Sequence, residues 1–199
     1  MGVYKKGNTM KKISEVRWHG RAGQGAKTAA ILLAETALNE GKYIQGFPEY
    51  GPEREGAPIK AFTRISDTPI FIHSGVTNPD AVVVLDFTLL DSVDVIEGLP
   101  EEGVILVNTD ANPEDIRKKL NLTRGKVYTV DATSISLGLL GRNLPNMPMI
   151  GALIKVVPLL SLDNLLKGVN KKFGKKFSSK IVEGNVSAIK KAYEEVNSE

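Results

Sequence analysis

The chain contains no cysteine. That absence excludes disulfide bonds, thiolate ligation of iron–sulfur clusters and a thiol nucleophile, so any electron transfer involving this protein runs through a partner. Histidine is almost as scarce: His19 and His73 are the only two. They have neither the i, i+4 spacing of a helical zinc pair nor accompanying cysteines, and no metal site is expected. No apolar run reaches the roughly 18–20 residues that a membrane span requires, and the N-terminus lacks the apolar core of a signal peptide. Met1-Gly2 begins a myristoylation pattern, but Lys6 stands where that pattern wants Ser or Thr. A cytoplasmic protein without membrane contact is the expectation. Charge of one sign is also in short supply, since the net charge is +3 and the pI is near 9.0. Much of the surplus lies in Lys167, Lys171, Lys172, Lys175, Lys176 and Lys180, a local cluster rather than a nucleic-acid footprint, and no nucleic-acid partner is expected.

What remains is the composition of an ordinary soluble protein, 42% hydrophobic and 25% charged over 199 residues. A chain of this length buries roughly 70% of its unfolded surface as one domain. Residues 1–10 read as a flexible tail and residues 11–199 as a single domain, with no repeat, low-complexity tract or dividing linker.

Ile13 to His19 alternates apolar and polar side chains and ends at Gly20, the pattern of a strand entering a glycine turn. From Ala26 to Asn39, Ala30, Ile31, Leu33, Ala34, Ala37 and Leu38 recur at helical spacing before Gly41. Tyr43–Phe47 and Ile59–Ser66 read as strands around a loop, Pro48 to Pro58, dense in Gly, Pro and charge. Ile70-Phe71-Ile72 reads as a short strand able to pair antiparallel with Ile59–Ser66. Ala81–Asp86 and Val104–Asn108 are continuous apolar runs that end in a polar residue, as parallel strands buried on both faces do. Leu89–Glu97 fits a short helix. Asn112-Pro113-Glu114-Asp115 opens another with a cap, an early proline and early acids. Val127–Asp131 adds a strand. The final third is helical over Thr133–Leu140, Met149–Val157, Leu162–Phe173 and Phe177–Glu195. The fold class is therefore α/β: one domain, a mostly parallel sheet flanked by helices, a glycine-rich first strand-to-helix turn and a helical C-terminal third.

The candidate binding site is that turn, Gly20-Arg21-Ala22-Gly23-Gln24-Gly25, with Lys27 just beyond it. Glycines at this spacing bend the backbone sharply and leave N–H groups uncovered at a helix start, where phosphate binds. Ala22 replaces the central glycine of G-x-G-x-x-G, and a packing junction would look similar. No catalytic residue stands out. His19 precedes the turn and faces either a ligand or the core. Asp86 and Asp131 end strands, where they contact ligand or cap helices. Glu49, Glu53 and Glu55 with Arg54 form a charged, partner-facing loop or a catalytic cluster. Asn146 to Leu153, with Met147 and Met149 beside small residues, suits either an adaptable interface or ordinary core packing.

Three segments in order carry a resemblance: Gly20 to Gly25, then Tyr50-Gly51-Pro52-Glu53-Arg54-Glu55-Gly56-Ala57-Pro58, then Asn146-Met147-Pro148-Met149-Ile150-Gly151-Ala152. Together they resemble the gamma subunit of 2-oxoacid:ferredoxin oxidoreductases, from about residue 13 to residue 195. Gly-x-Glu-Arg-x-Gly-Ala-Pro followed by Ala61-Phe62 is similar to the pyruvate and ketoisovalerate branch. The resemblance implies a subunit inactive alone, within an enzyme that converts pyruvate, coenzyme A and oxidised ferredoxin to acetyl-CoA, CO2 and reduced ferredoxin. It implies alpha, beta and delta partner subunits that hold thiamine diphosphate, magnesium and iron–sulfur clusters. The absence of cysteine and of a thiamine Gly-Asp-Gly motif agrees with that division. It further implies contact with coenzyme A, for which Gly20, Arg21, Ala22, Gly23, Gln24, Gly25 and Lys27 are the candidates, and it assigns no cofactor to this chain alone. The alternatives are the same role in a 2-oxoisovalerate:ferredoxin oxidoreductase, a free-standing nucleotide-binding oxidoreductase, or a nucleotide sensor. Against the free-standing enzyme, the region near Ile44 and Gln45 lacks the acid that usually binds ribose hydroxyls.

Overall fold

Strand β1 (Ile13–Arg21) shows why the first element forms: Val16 and Trp18 point to one side and Arg17 and His19 to the other, and all four are buried. The computed structural model describes residues 13–49 and 56–199. The tail expected over 1–10 and the charged residues Glu53, Arg54 and Glu55 lie outside them. After β1 come α1 (Ala26–Leu38), β2 (Tyr43–Pro48), β3 (Pro58–Ser66), β4 (Ala81–Val84), β5 (Val104–Asn108), α2 (Pro113–Lys119) and β6 (Lys126–Val130). The chain finishes with α3 (Ala132–Leu140), α4 (Asn146–Val156), α5 (Leu162–Phe173), α6 (Ser179–Glu195) and β7 (Asn197–Ser198).

The strands form one sheet in the order β2-β3-β1-β4-β5-β6-β7. β1, β4, β5 and β6 are parallel neighbours. β3 runs antiparallel to both β1 and β2, and β7 antiparallel to β6, so all strands but β3 and β7 point one way. The mostly parallel α/β sheet and the helical last third are as expected.

Two expectations need correction. Ile70-Phe71-Ile72 forms no strand, because β1 and β2 already occupy both edges of β3 and leave nothing to pair with; Phe71 stays 82% exposed. The helix expected over Leu89–Glu97 is instead a 3-10 turn, Phe87–Asp91. Its start is set by Asp86, whose carboxylate accepts the Thr88 amide at 3.0 Å, and Asp94 then accepts from Ile96 N at 3.2 Å to turn the chain again.

The larger core lies between one face of the sheet and α1, α4, α5 and α6. Trp18 is fully buried there, and its indole N–H donates to Thr63 Oγ1 at 3.0 Å. Thr63 in turn donates to the Ala30 carbonyl at 2.9 Å, tying β1, β3 and α1 together. Residues 146–154 of α4 are all buried, so the methionine segment is core packing. Within it, a side chain at Gly151 would fall on the backbone carbonyl of Ile189 in α6, which explains glycine at that position.

Candidate functional site

The turn between β1 and α1 lies at the carboxyl end of the parallel strands, the position where open α/β sheets bind ligands. Gly23 and Gly25 adopt φ of 100° and 83°, which only glycine holds without strain. Gly25 is the N-cap of α1 and supplies no side-chain cap, and the first turn of the helix contains no acid. Among the described residues the amides of that turn therefore have neither intrahelical nor capping partners, and they point out of the helix end. Lys27 and Thr28 are exposed beside them.

Arg21 and Gln24 hold the turn in shape. The Gln24 side chain accepts from Arg21 N at 2.8 Å and donates to Asp86 Oδ2 at 2.6 Å. The Arg21 guanidinium donates to Thr88 Oγ1 at 2.7 Å and to the Gly56 carbonyl at 3.1 Å, and lies 3.5 Å from Asp86. Thr88 donates to Asp86 through its hydroxyl at 2.5 Å. Partial burial alone would raise the Asp86 pKa; hydrogen bonds from Thr88 and Gln24 and the charge of Arg21 outweigh it and set the carboxyl below its ordinary value. Arg21 is thus a bracket for the turn, and Lys27 is a nearby cation exposed to solvent.

The described parts of the three sequence segments meet at this end of the sheet. Ala22 N donates to the Ala57 carbonyl at 3.0 Å, returning the far side of the charged loop to the turn. From the opposite side Asn146 reaches the Gly25 carbonyl at 3.5 Å, and a side chain at Gly25 would collide with its amide. A groove of about 500 Å³ opens beside Gly23, Gly25 and Thr28, between Arg142 and Lys180.

Other candidates resolve into structural roles. His19 is 1% exposed and accepts from Arg17 Nε at 3.1 Å. Burial, with the charges of Arg17 and Lys60, pushes its pKa down to about 3, so it is neutral, and its burial closes it off from a ligand at the turn. Asp131 caps α3 by accepting Ser134 N at 2.8 Å. Glu49 pairs with Lys60 at 3.7 Å. His73 lines a shallow depression beside β2, far along the chain from the turn. In the lysine cluster, Lys172 bonds Glu35 at 2.6 Å and Lys171 reaches Asn39 at 3.3 Å.

The family model for pyruvate ferredoxin/flavodoxin oxidoreductase matches residues 15–195. The chain belongs to this family. Pyruvate synthase subunit PorC of Thermotoga maritima is 52% identical over 186 residues, covering 94% of this chain and 96% of that protein. The crystal structure of a pyruvate oxidoreductase subunit PORC from T. maritima superposes with a TM-score of 0.85, covering 94% of this chain and 99% of that one at 48% identity. The common gamma subunit of the pyruvate/ketoisovalerate oxidoreductases of Pyrococcus furiosus is 46% identical over 180 residues, 90% of this chain and 95% of that one. The family expected from the three segments is therefore the one found. Thr88, Arg142 and Lys180 were not legible as neighbours of the oxidoreductase subunit's glycine turn. An Asp-x-Thr pattern after an apolar strand signals the Asp86–Thr88 turn, whereas nothing local marks the other two.

Proposed function

We propose that this chain is the gamma subunit of a multi-subunit pyruvate:ferredoxin oxidoreductase and has no activity alone. The carrying observation is the family match over residues 15–195, nearly the whole described domain. Partner alpha, beta and delta subunits carry thiamine diphosphate, magnesium and the iron–sulfur clusters, for which a chain without cysteine offers no thiolates. Among the described residues no group of three or more His, Asp or Glu side chains is placed to hold a metal ion. No helix among them is long and apolar enough to cross a membrane.

Within that assembly the glycine turn faces coenzyme A. The amides of the first turn of α1 and Lys27 form a positive end suited to a phosphate, while Gln24, Asp86 and Arg21 keep the turn open. The chemistry at the 2-oxoacid takes place on the partners; this chain's residues bind and orient the acyl acceptor. The similarity to a common gamma subunit supports a second reading, in which one chain serves both pyruvate and 2-oxoisovalerate enzymes.

Affinity purification through a tag on this chain, with partner identification and 2-oxoacid-dependent dye reduction, tests the assembly. Thiamine- and cluster-bearing chains with pyruvate activity are expected; a lone inactive monomer would refute it. For the turn, Lys27→Ala and Arg21→Ala in the intact complex raise KM for coenzyme A and spare decarboxylation. Unchanged coenzyme A kinetics would remove the ligand role.

A further inference from the structure

Resting on the reading of this chain as a subunit, we propose that the groove between the end of α3 and the start of α6 receives a segment of a partner subunit that carries an apolar side chain flanked by carboxylates. The groove encloses about 500 Å³, space for several side chains. Leu139, Phe177 and Ile181 line it and are 42%, 47% and 45% exposed. Leu137, one helical turn before Leu140 and so on the same side of α3, is 49% exposed. Half of the large apolar side chains that are exposed among the described residues therefore gather at one place, although a soluble chain normally scatters them.

Charge selects the occupant. Among the described residues the cations Arg142 and Lys180 line the groove and no acidic side chain does. Lys175 and Lys176, on the segment that joins α5 to α6 just before Phe177, add positive charge and line a second depression beside α1 together with Glu35. Carboxylates flanking an apolar anchor satisfy both features at once, the arrangement of a buried apolar centre with a charged rim. The apolar surface continues past the groove to Leu137, more than a small molecule seated in the cavity would cover, and this favours a polypeptide.

The test uses the complex produced by co-expression with its other subunits. Arg142→Glu/Lys180→Glu reverses two exposed charges that have no role in the core, and Ile181→Asp places a carboxylate among the apolar anchors. Both are expected to lower co-purification of the partners at least tenfold, and the double charge reversal to recover part of it when acidic residues of the partner segment are changed to lysine. Soluble, monomeric variant chain in the same lysate shows that folding survived. Normal assembly of both variants overturns the proposal. Normal assembly with a raised KM for coenzyme A also overturns it, in favour of an anionic small-molecule groove. If the unaltered chain itself fails to assemble, the subunit reading falls, and the proposal with it.

Discussion

The two faces of the sheet are covered in different ways. On one, Val16, Trp18, Ala81, Val83 and Leu106 meet helices α1, α4, α5 and α6 in a dry apolar core. On the other, the half built from β4, β5 and β6 is apolar, but the half built from β1, β2 and β3 presents Arg17, His19, Arg64 and Gln45. There the cover consists of irregular segments held by their backbone carbonyls. Arg17 donates to Val95 O at 3.1 Å and to Glu97 O at 2.5 Å. Arg64 donates to Gly75 O at 3.1 Å and pairs with Glu15 at 2.8 Å, and Gln45 donates to Ile72 O at 2.8 Å. A helix satisfies its own backbone and needs only apolar contact, whereas a loop laid over a sheet needs donors supplied from beneath. Polar side chains in a buried strand are therefore the fastening of a loop layer here.

The comparison can be broken first on the helical face. Gly151→Val drives a branched side chain into the α6 backbone and forces α4 and α6 apart, with an expected loss of more than about 3 kcal/mol. Absence of soluble protein, or a collapsed denaturant midpoint, checks it. On the loop face, Arg17→Met removes the shared donor of two loop carbonyls without leaving a large void, for an expected loss of about 2–3 kcal/mol. A change near zero in a urea titration would mean that the loops carry themselves.

Acid probes the same face through His19. Folded, it titrates near pH 3; unfolded, near 6.5. Between those values the unfolded chain binds the additional proton, so stability falls as pH drops below about 6.5 and is flat in this group above it. The expected loss is about 2–3 kcal/mol by pH 4.5, and it is absent in His19→Gln. Unfolding midpoints for both proteins from pH 7 to 4.5 measure the difference. At the glycine turn, Thr88→Val breaks the Asp86 and Arg21 contacts on a partly exposed network, for about 1 kcal/mol. Faster amide exchange at Arg21–Gly25 is the readout. The smallest effect belongs to Phe71→Ser: an exposed side chain on the loop layer contributes within about 0.5 kcal/mol, because the fastening is through carbonyls.

Much of this architecture was legible because it is local. The alternation of Ile13–His19, the runs Ala81–Leu85 and Val104–Val107, and the helical spacing of Leu162–Phe173 each report a face by periodicity alone. The glycine turn was equally plain, since positive φ at Gly23 and Gly25 is a backbone demand that a sequence shows directly. Periodicity did not reveal that β3 inserts between β1 and β2, and so Ile70–Ile72 looked like a strand with a partner. Edge vacancy is a property of the whole sheet.

The amino-acid sequence by itself determined the α/β class, the turn at Gly20–Gly25, the absence of thiolate ligands and the family, all of which depend on residue identity or on spacing within one element. Only the tertiary structure decided that Asn146 meets Gly25 from 121 positions away, that Arg21 braces the turn beside Asp86, and that Arg142 and Lys180 frame one groove. Each of those joins elements whose separation along the chain carries no periodic signal; packing, not pattern, sets their distance.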